Sequence, residues 1–342
     1  MLSNQTLTDD RQSMMGLSTV KGQRLKKHEL VEFVFTRMWE TARRENLPSI
    51  QSVTLSLDAL REEIAKASGT PRHNNKWICS QLKKYEQEQG VTLFVHERNK
   101  SGAETIRVAD TLVSFQQKRH LYRPEKLRLA NALADYIAAE YPSQSDPVAI
   151  WMGAGTTMAL AAEVLADRVV DTAPPIHVFT HNVGVLTTFL RPETPPSITV
   201  SVSRGTIDPI TYTIIPPPED PVWPDHTDVV VQGTSVLYDG DLYIESETEA
   251  AIKRLLLTEG AGTKILLRTM HEYRTEQPHG MYRYGSIDDY DLVITPTMKN
   301  PSADQRRAQG WLDASIERFE VHIKQWHYQI LRSRVPRRSV TP

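Results

Sequence analysis

One loop of the chain has a composition typical of anion binding, and its residues are Gly153, Ala154, Gly155, Thr156 and Thr157. It joins an apolar run that predicts a buried strand to an alanine-rich run that predicts a helix. Glycines let the backbone approach a ligand closely, and the N-terminus of a helix favours phosphate. The loop is neither a Walker motif nor a full dinucleotide fingerprint, because Met158 stands where a third glycine is expected. The alternative is a tight turn with a threonine cap.

Polar and basic residues at the ends of other predicted strands, and on one following helix, are expected to gather around this loop. They are Thr180, His181, Asn182, Gly233, Thr234, Ser235, Lys253 and Arg268. Hydroxyls, amides and N–H groups suit a polyol, and the two cations suit its phosphate. Three alternatives remain open: a surface ion pair of Glu249 with Lys253, a satisfied buried imidazole at His181, and a structural ion pair of Arg268. No metal ion and no cofactor is expected.

Strands and helices alternate through the second part of the chain. Strands are predicted at 148–152, 176–180, 228–232, 264–268 and 291–295, with helices at 125–141, 158–167 and 247–258. This alternation predicts an α/β fold with a largely parallel sheet, whose ligands bind at the carboxyl ends of the strands. A strand-rich section broken by prolines is expected at 197–215, and a closing helix at 304–332 precedes a basic tail.

The first part of the chain has the element order of a winged helix-turn-helix: helix, short strand, helix, turn, helix and a two-stranded hairpin. The predicted reading helix begins after Gly69-Thr70-Pro71, and residues 98–102 form a basic hairpin tip. Asn, Gln and Arg can contact base edges, whereas lysines suit phosphates. The candidate DNA-binding residues are Arg72, His73, Asn74, Asn75, Lys76, Gln81, Lys83, Lys84, Arg98 and Lys100. A solvated helix of no function could carry the same residues.

Composition favours a soluble intracellular protein of about two domains. The 342 residues include one cysteine, Cys79, and no apolar run long enough to span a bilayer. Residues 21–126 hold 20 basic against 13 acidic residues, residues 127–298 hold 10 against 23, and residues 299–342 hold 9 against 4. Basic ends around an acidic middle indicate an anionic partner for the ends, or attraction between the parts themselves. We expect a cytoplasmic location.

The predicted organisation has five parts. A flexible arm covers 1–20, a winged helix 21–110, a linker 111–124, an α/β domain 125–300, and a C-terminal helix with its tail 301–342.

Residues 125–296 resemble the effector domain of the DeoR family of bacterial sugar-responsive transcription regulators. The matching stretches share their order with that domain: Leu127–Ala138, Gly153–Thr157, Thr180–Asn182, Gly233–Ser235, Asp239–Leu242, Glu247–Arg254, Lys264–Leu267 and Asp288–Thr295. The resemblance implies a Rossmann-like, ribose-phosphate-isomerase-like α/β fold. It also implies that the Gly153–Thr157 loop and Lys253 hold a phosphorylated sugar or a related metabolite, and that the protein is a repressor released from DNA by that effector.

The chain departs from the family pattern at three points. The family's Thr-Ile-Arg-Arg-Asp-Leu-like recognition helix is absent. Prolines at 216–218, 221 and 224 replace a helix before the third core strand, and Arg268-Thr269 replaces an Asp-Ser pair. The effector is therefore not fixed by the resemblance.

The leading hypothesis is a DNA-binding transcription regulator and not an enzyme. We expect it to act as a homodimer or higher homo-oligomer on double-stranded DNA. We also expect it to bind a small anionic metabolite and to contact no membrane. One alternative is a sugar-phosphate isomerase or lactonase, with Asp241, Glu245 and Glu249 as the candidate bases. Another is an interaction protein that keeps the fold and has lost its ligand site.

Overall fold

The computed structural model describes residues 25–45, 47, 50–69, 74–98, 102–109, 114–141, 146–168, 174–217, 226–274, 277–297 and 318–334. The chain divides into two compact units, Met1–Pro124 and Glu125–Pro342. Three predicted DNA-binding residues, Arg72, His73 and Lys100, lie outside the described residues, as does the predicted arm 1–20.

The first unit combines three helices with a small antiparallel sheet. The helices are α1 (Lys27–Arg44), α2 (Leu57–Ser68) and α3 (Asn75–Gln89), and the strands are β1 (Thr54–Ser56), β2 (Phe94–Arg98) and β3 (Glu104–Val108). The strand order is β1-β3-β2. Ser56 and Asn74 cap α2 and α3 by accepting from the backbone N–H groups of Ala59 and Trp77, which satisfies donors that a helix start leaves unpaired.

The connector after the sheet packs on the first unit. A short helix, α4 (Phe115–Lys118), is followed by His120, whose ring is buried. The His120 ring nitrogens lie 3.0 Å from the Tyr85 hydroxyl and 2.7 Å from the Glu32 carboxylate. The described part of the predicted linker is thus held to α1 and α3 by hydrogen bonds.

The second unit is built on an eight-stranded sheet with the order β15-β16-β14-β12-β9-β4-β5-β6. Its strands are β4 (Val148–Met152), β5 (Ile176–Thr180), β6 (Ile198–Val202), β9 (Val229–Gly233), β12 (Thr263–Leu267), β14 (Leu292–Pro296), β15 (Phe319–Lys324) and β16 (Tyr328–Ser333). The six strands from β14 to β6 run parallel, and β15 and β16 add an antiparallel edge.

Helices pack on both faces of this sheet. Apolar residues of α5 (Arg123–Glu140), α6 (Thr156–Arg168) and α7 (Val183–Phe189) form the main core with one set of alternating strand residues. On the opposite face, Ile252 and Leu256 of α8 (Glu247–Glu259) pack on Trp151 and Val230. The predicted α/β fold with a largely parallel sheet is confirmed.

Two smaller sheets complete the unit. They are a hairpin of β7 (Thr206–Asp208) with β8 (Thr213–Ile215), and a sheet of β10 (Val236–Tyr238), β11 (Asp241–Ile244) and β13 (Tyr282–Ser286).

The predicted closing helix at 304–332 differs from the structure in its second half. Residues 319–324 and 328–333 form antiparallel strands, and residues 301–317 lie outside the described part of the chain. The strand at 328–333 pairs with β14, and its residues Tyr328, Ile330 and Leu331 are buried in the sheet. None of the described helices combines the length and apolar character needed to cross a membrane.

Candidate functional site

The strand order reverses between β4 and β9. Chain connections from β4 lead outward to β5 and β6, whereas β9, β12 and β14 lie on its other side. In an open parallel sheet such a switch point leaves a crevice at the carboxyl ends of the strands. The residues that follow β12, β9, β4 and β5 are Arg268, Thr234, Gly153 and His181, so the parallel register brings four predicted segments to one edge.

The glycine–threonine loop lies at this switch point. A Cβ atom on Gly153 would lie 3.3 Å from the Val231 carbonyl oxygen, so β9 leaves little space for a side chain there. Gly155 has a φ of 109°, which L side chains rarely adopt. The next residue, Thr156, begins the thirteen-residue helix α6. The backbone N–H groups of a helix start are therefore placed at the mouth of the crevice.

Thr180 and Asn182 hold the loop in shape. The Thr180 hydroxyl donates to the Met152 carbonyl at 2.8 Å. The Asn182 side-chain amide donates to the carbonyl oxygens of Gly153 and Gly155 at 3.3 and 2.9 Å, and its oxygen caps α7. Because these groups already have partners, both residues shape the site instead of offering free groups to a ligand.

Two lysines point their ammonium groups to this edge. Lys126 of α5 donates to the Thr156 hydroxyl at 2.8 Å. The fully buried Lys253 donates to the Gly233 carbonyl at 2.9 Å and lies 3.6 Å from Glu249. Burial lowers the pKa of Lys253 although Glu249 opposes that shift. The expected pair of Glu249 and Lys253 therefore exists, but it is buried and not on the surface.

Arg268 is the least satisfied cation of the site. Its side chain is fully buried, and none of its three guanidinium nitrogens has a hydrogen-bond partner among the described residues. Burial lowers the pKa of Arg268 to about 10, with Glu272 and Glu125 opposing the shift. A guanidinium offers five N–H donors, and leaving them unpaired away from water is costly.

The two carboxylates near Arg268 are engaged elsewhere. Glu272 accepts from the Thr269 N–H at 3.0 Å, and Glu125 accepts from the Met270 N–H at 3.2 Å and from His271 at 3.1 Å. Burial raises the pKa of Glu272 to about 8, although Arg268 and Lys126 favour its ionised form. Burial opposes ionisation of Glu125 too, but His271 and the Met270 N–H hold its pKa below the ordinary value.

His181 is buried at the end of β5, and neither ring nitrogen has a hydrogen-bond partner among the described residues. Burial, with Lys253 nearby, lowers the pKa of His181 to about 3, so the imidazole is neutral at physiological pH. A neutral imidazole offers one donor and one acceptor. The sequence-based alternative of a satisfied buried histidine does not describe this ring.

Two predicted hydroxyls have internal partners. Thr234 donates to carbonyl oxygens of Val236 and Tyr243 at 3.0 and 3.1 Å, and Ser235 donates to Glu245 at 2.6 Å.

Glu125, Lys126 and Glu272 were not among the residues predicted from the sequence. The apolar periodicity of α5 was visible, but the position of Lys126 beside Thr156 depends on tertiary packing. No group of three or more His, Cys, Asp or Glu side chains in the described ranges could hold a metal ion.

In the first unit, α3 presents one polar face to solvent. Ile78, Leu82 and Tyr85 face the core, and the exposed residues are Lys76, Ser80, Lys83, Lys84, Gln87, Glu88 and Gln89. Within the described ranges, no ion pair involves Lys83 or Lys84. Three lysines lie on this face, and the exposed Glu88, one turn after Lys84, pairs with Lys27 of α1.

Several other predicted DNA-binding residues have internal roles. Asn74 caps α3, and the Asn75 amide donates to Asp58 and Glu104 at 3.2 and 3.1 Å. Arg98 lies 2.8 Å from Glu104, and Gln81 is half-buried. The contacts of Asn74 and Asn75 occupy amide groups that were expected to contact base edges.

Comparisons with known proteins give similarity to solved structures only. No protein-family model and no curated protein matches the chain. Ribose 5-phosphate isomerase A from Neisseria gonorrhoeae is 8% identical, with 66% of this chain and 79% of that chain covered and a TM-score of 0.29. The translation initiation factor eIF-2B from Pyrococcus horikoshii is 11% identical, with 96% and 92% covered and a TM-score of 0.29. eIF2B delta from Chaetomium thermophilum is 12% identical, with 83% and 94% covered and a TM-score of 0.31.

Similarity at this level defines no family and no function. It does correct one expectation, namely that the chain is not an enzyme. Solved structures similar to the chain include ribose-5-phosphate isomerases, so the exclusion is withdrawn, but at 8–11% identity they do not show that the chain is an enzyme.

Proposed function

We propose that the protein is a DNA-binding transcription regulator, a repressor, whose second unit binds a phosphorylated sugar or a related anionic metabolite. In this proposal it acts in the cytoplasm as a homodimer or higher homo-oligomer on a two-fold-symmetric duplex site. The observation that carries the DNA-binding part is the exposed face of α3, where Lys76, Lys83 and Lys84 project from one side of a helix.

The order of elements in the first unit supports this part. A helix pair followed by an antiparallel hairpin, with the order β1-β3-β2, is the arrangement of a winged helix-turn-helix, in which the second helix of the pair enters the major groove. The ammonium groups of Lys83 and Lys84 suit phosphates. Few side chains on this face could contact base edges. We therefore expect phosphate contacts to supply most of the affinity.

Salt dependence tests this part directly. We expect the full chain to bind a duplex with an affinity that falls steeply with salt, and to prefer duplex over heparin. Lys83→Gln and Lys84→Gln should each reduce the slope of log K against log salt by about 1. Lys324→Gln, which removes an exposed charge from the second unit, is the matched control. Equal slopes in all four proteins would refute the role of α3.

The anion-binding part is supported by the crevice of the second unit. The N-terminus of α6, the ammonium group of Lys126 and the unpaired Arg268 converge on the carboxyl edge of the sheet. A ligand can change DNA binding only if it binds two arrangements of the protein with different affinity.

An enzyme is the second candidate, and Glu272 is the observation that favours it. A carboxyl group with a pKa of about 8 can accept and donate a proton near neutral pH, as aldose–ketose isomerisation needs. Of the bases expected from the sequence, Asp241 pairs with Arg283 at 2.8 Å and Glu245 accepts from Ser235, whereas Glu249 is buried beside Lys253. Turnover of ribose, glucosamine or gluconolactone phosphates that is lost in Glu272→Gln would favour the enzyme over the regulator.

A further inference from the structure

Two groups of anion donors follow different strands at the carboxyl edge of the sheet in the second unit. The first group is the start of α6 with Lys126, which follows β4. The second is the guanidinium of Arg268, which follows β12. Since β9 lies between β4 and β12, the strand ends that these groups follow are two strand spacings, or about 10 Å, apart.

Each group has chemistry suited to a different anion. Backbone N–H groups at a helix start, with a hydroxyl and an ammonium group, suit the tetrahedral oxygens of a phosphate. A guanidinium suits two oxygens of a carboxylate or of a second phosphate, which it can bind through two parallel hydrogen bonds.

The surroundings of Arg268 leave that role open. The carboxylates whose charges act on it, Glu272 and Glu125, accept from backbone N–H groups and from His271. Burial raises the pKa of Glu272 to about 8, which weakens this carboxyl group as a counter-charge for the arginine near neutral pH. A buried guanidinium with no acceptor is expected to gain strongly when an anion arrives.

His181 lies at the same edge of the sheet, on the other side of the glycine–threonine loop from Arg268. It follows β5, on the far side of β4 from Arg268, and its neutral ring has a free donor and a free acceptor among the described residues. Such a group suits a hydroxyl of the ligand and not a third anionic group.

From this arrangement, and on the basis of the proposed anion site, we infer that the ligand carries two separated anionic groups. One is a phosphate bound at the start of α6, and the other is bound by Arg268. Hydroxylated carbons lie between them. This class includes sugar-acid phosphates and sugar bisphosphates, which share the second anionic group.

Matched ligand pairs test the inference by calorimetry on the full chain. The pairs are 6-phosphogluconate with glucose 6-phosphate, and fructose 1,6-bisphosphate with fructose 6-phosphate. We expect the doubly anionic member of at least one pair to bind at least about tenfold more tightly, because one or more charge-assisted hydrogen bonds depend on it. The pair that shows the preference identifies the second group as carboxylate or phosphate.

The Arg268→Gln variant should abolish that preference while it keeps the affinity for the singly phosphorylated member. If Arg268→Gln does not fold, Arg268→Lys serves instead, since it keeps the charge, loses the paired hydrogen bonds and should reduce the preference. Equal affinity within both pairs would overturn the inference and leave a site for one phosphate. Absence of binding by all four ligands would overturn the inference and remove the metabolite part of the proposed function.

Discussion

The protonation of Glu272 gives a prediction that can be worked from the structure. Its pKa rises from the ordinary value of 4.5 to about 8 because the carboxyl group is buried. Between these pH values the folded chain keeps a proton that the unfolded chain releases. The free energy of unfolding of the second unit should therefore fall as pH rises through this window, and become independent of this group above it.

The full slope for one proton is about 1.4 kcal/mol per pH unit, or almost 3 kcal/mol between pH 5 and pH 7. The residue as a whole keeps some exposed surface, and its carboxyl group lies near the charges of Arg268 and Lys126, so we expect about 1–2 kcal/mol. Glu272→Gln imitates the protonated side chain. It should match the wild type near pH 5 and be more stable by that amount at pH 7.

Urea unfolding read by hydrogen exchange of peptides that cover β9 and β12 measures this quantity for the second unit alone. Glu259→Gln, at an exposed position of α8, is the matched control and should leave the pH dependence unchanged. If the wild type and Glu272→Gln gave parallel stability curves from pH 5 to pH 8, the raised pKa would be refuted.

Three further predictions concern the loop, the caps and the core. Gly155→Ala should destabilise the second unit by about 1–3 kcal/mol, because the φ of 109° at this position is unfavourable for alanine. Calorimetry measures the effect, and an unchanged Tm would contradict the prediction. Asn182→Ala loses a helix cap and two hydrogen bonds to the loop, and should lower the free energy of unfolding measured in urea by about 2–4 kcal/mol. Asn74→Ala in the first unit loses a helix cap and should lower it by about 1 kcal/mol. Equal losses in the two variants would argue against the loop contacts. Ile265→Ala in β12, fully buried, should cost about 2–5 kcal/mol, and a loss below 1 kcal/mol would contradict the packing described for the sheet.

Much of the fold could be predicted because strand and helix periodicity is local. The runs at 148–152, 176–180 and 264–268 agree with β4, β5 and β12 to within one residue. The pairing of 328–333 with β14 could not be seen, since a strand that is covered by a distant element has no local pattern that distinguishes it from a helix.

The site was predictable only where its residues follow strands. The position of the Gly153–Thr157 loop and of Arg268 at one edge of the sheet was predicted in this way, because parallel strands bring their carboxyl ends to one edge. Glu272 lies in a short turn after β12 and Glu125 on a helix, and their importance arises from burial and from contacts with Met270 and His271. The side chains of Asn75 and Thr234, which the sequence assigned to binding, already bind nearby groups, and these contacts could not be read from the sequence.

The coupling between the two proposed sites is the most direct test of the account. A labelled duplex bound by the full chain is titrated with the doubly anionic ligand that calorimetry selects, and duplex affinity is measured by anisotropy at fixed salt. We expect the ligand to weaken duplex binding, and the duplex to weaken ligand binding by the same factor. Duplex affinity that stays constant at saturating ligand would contradict the account.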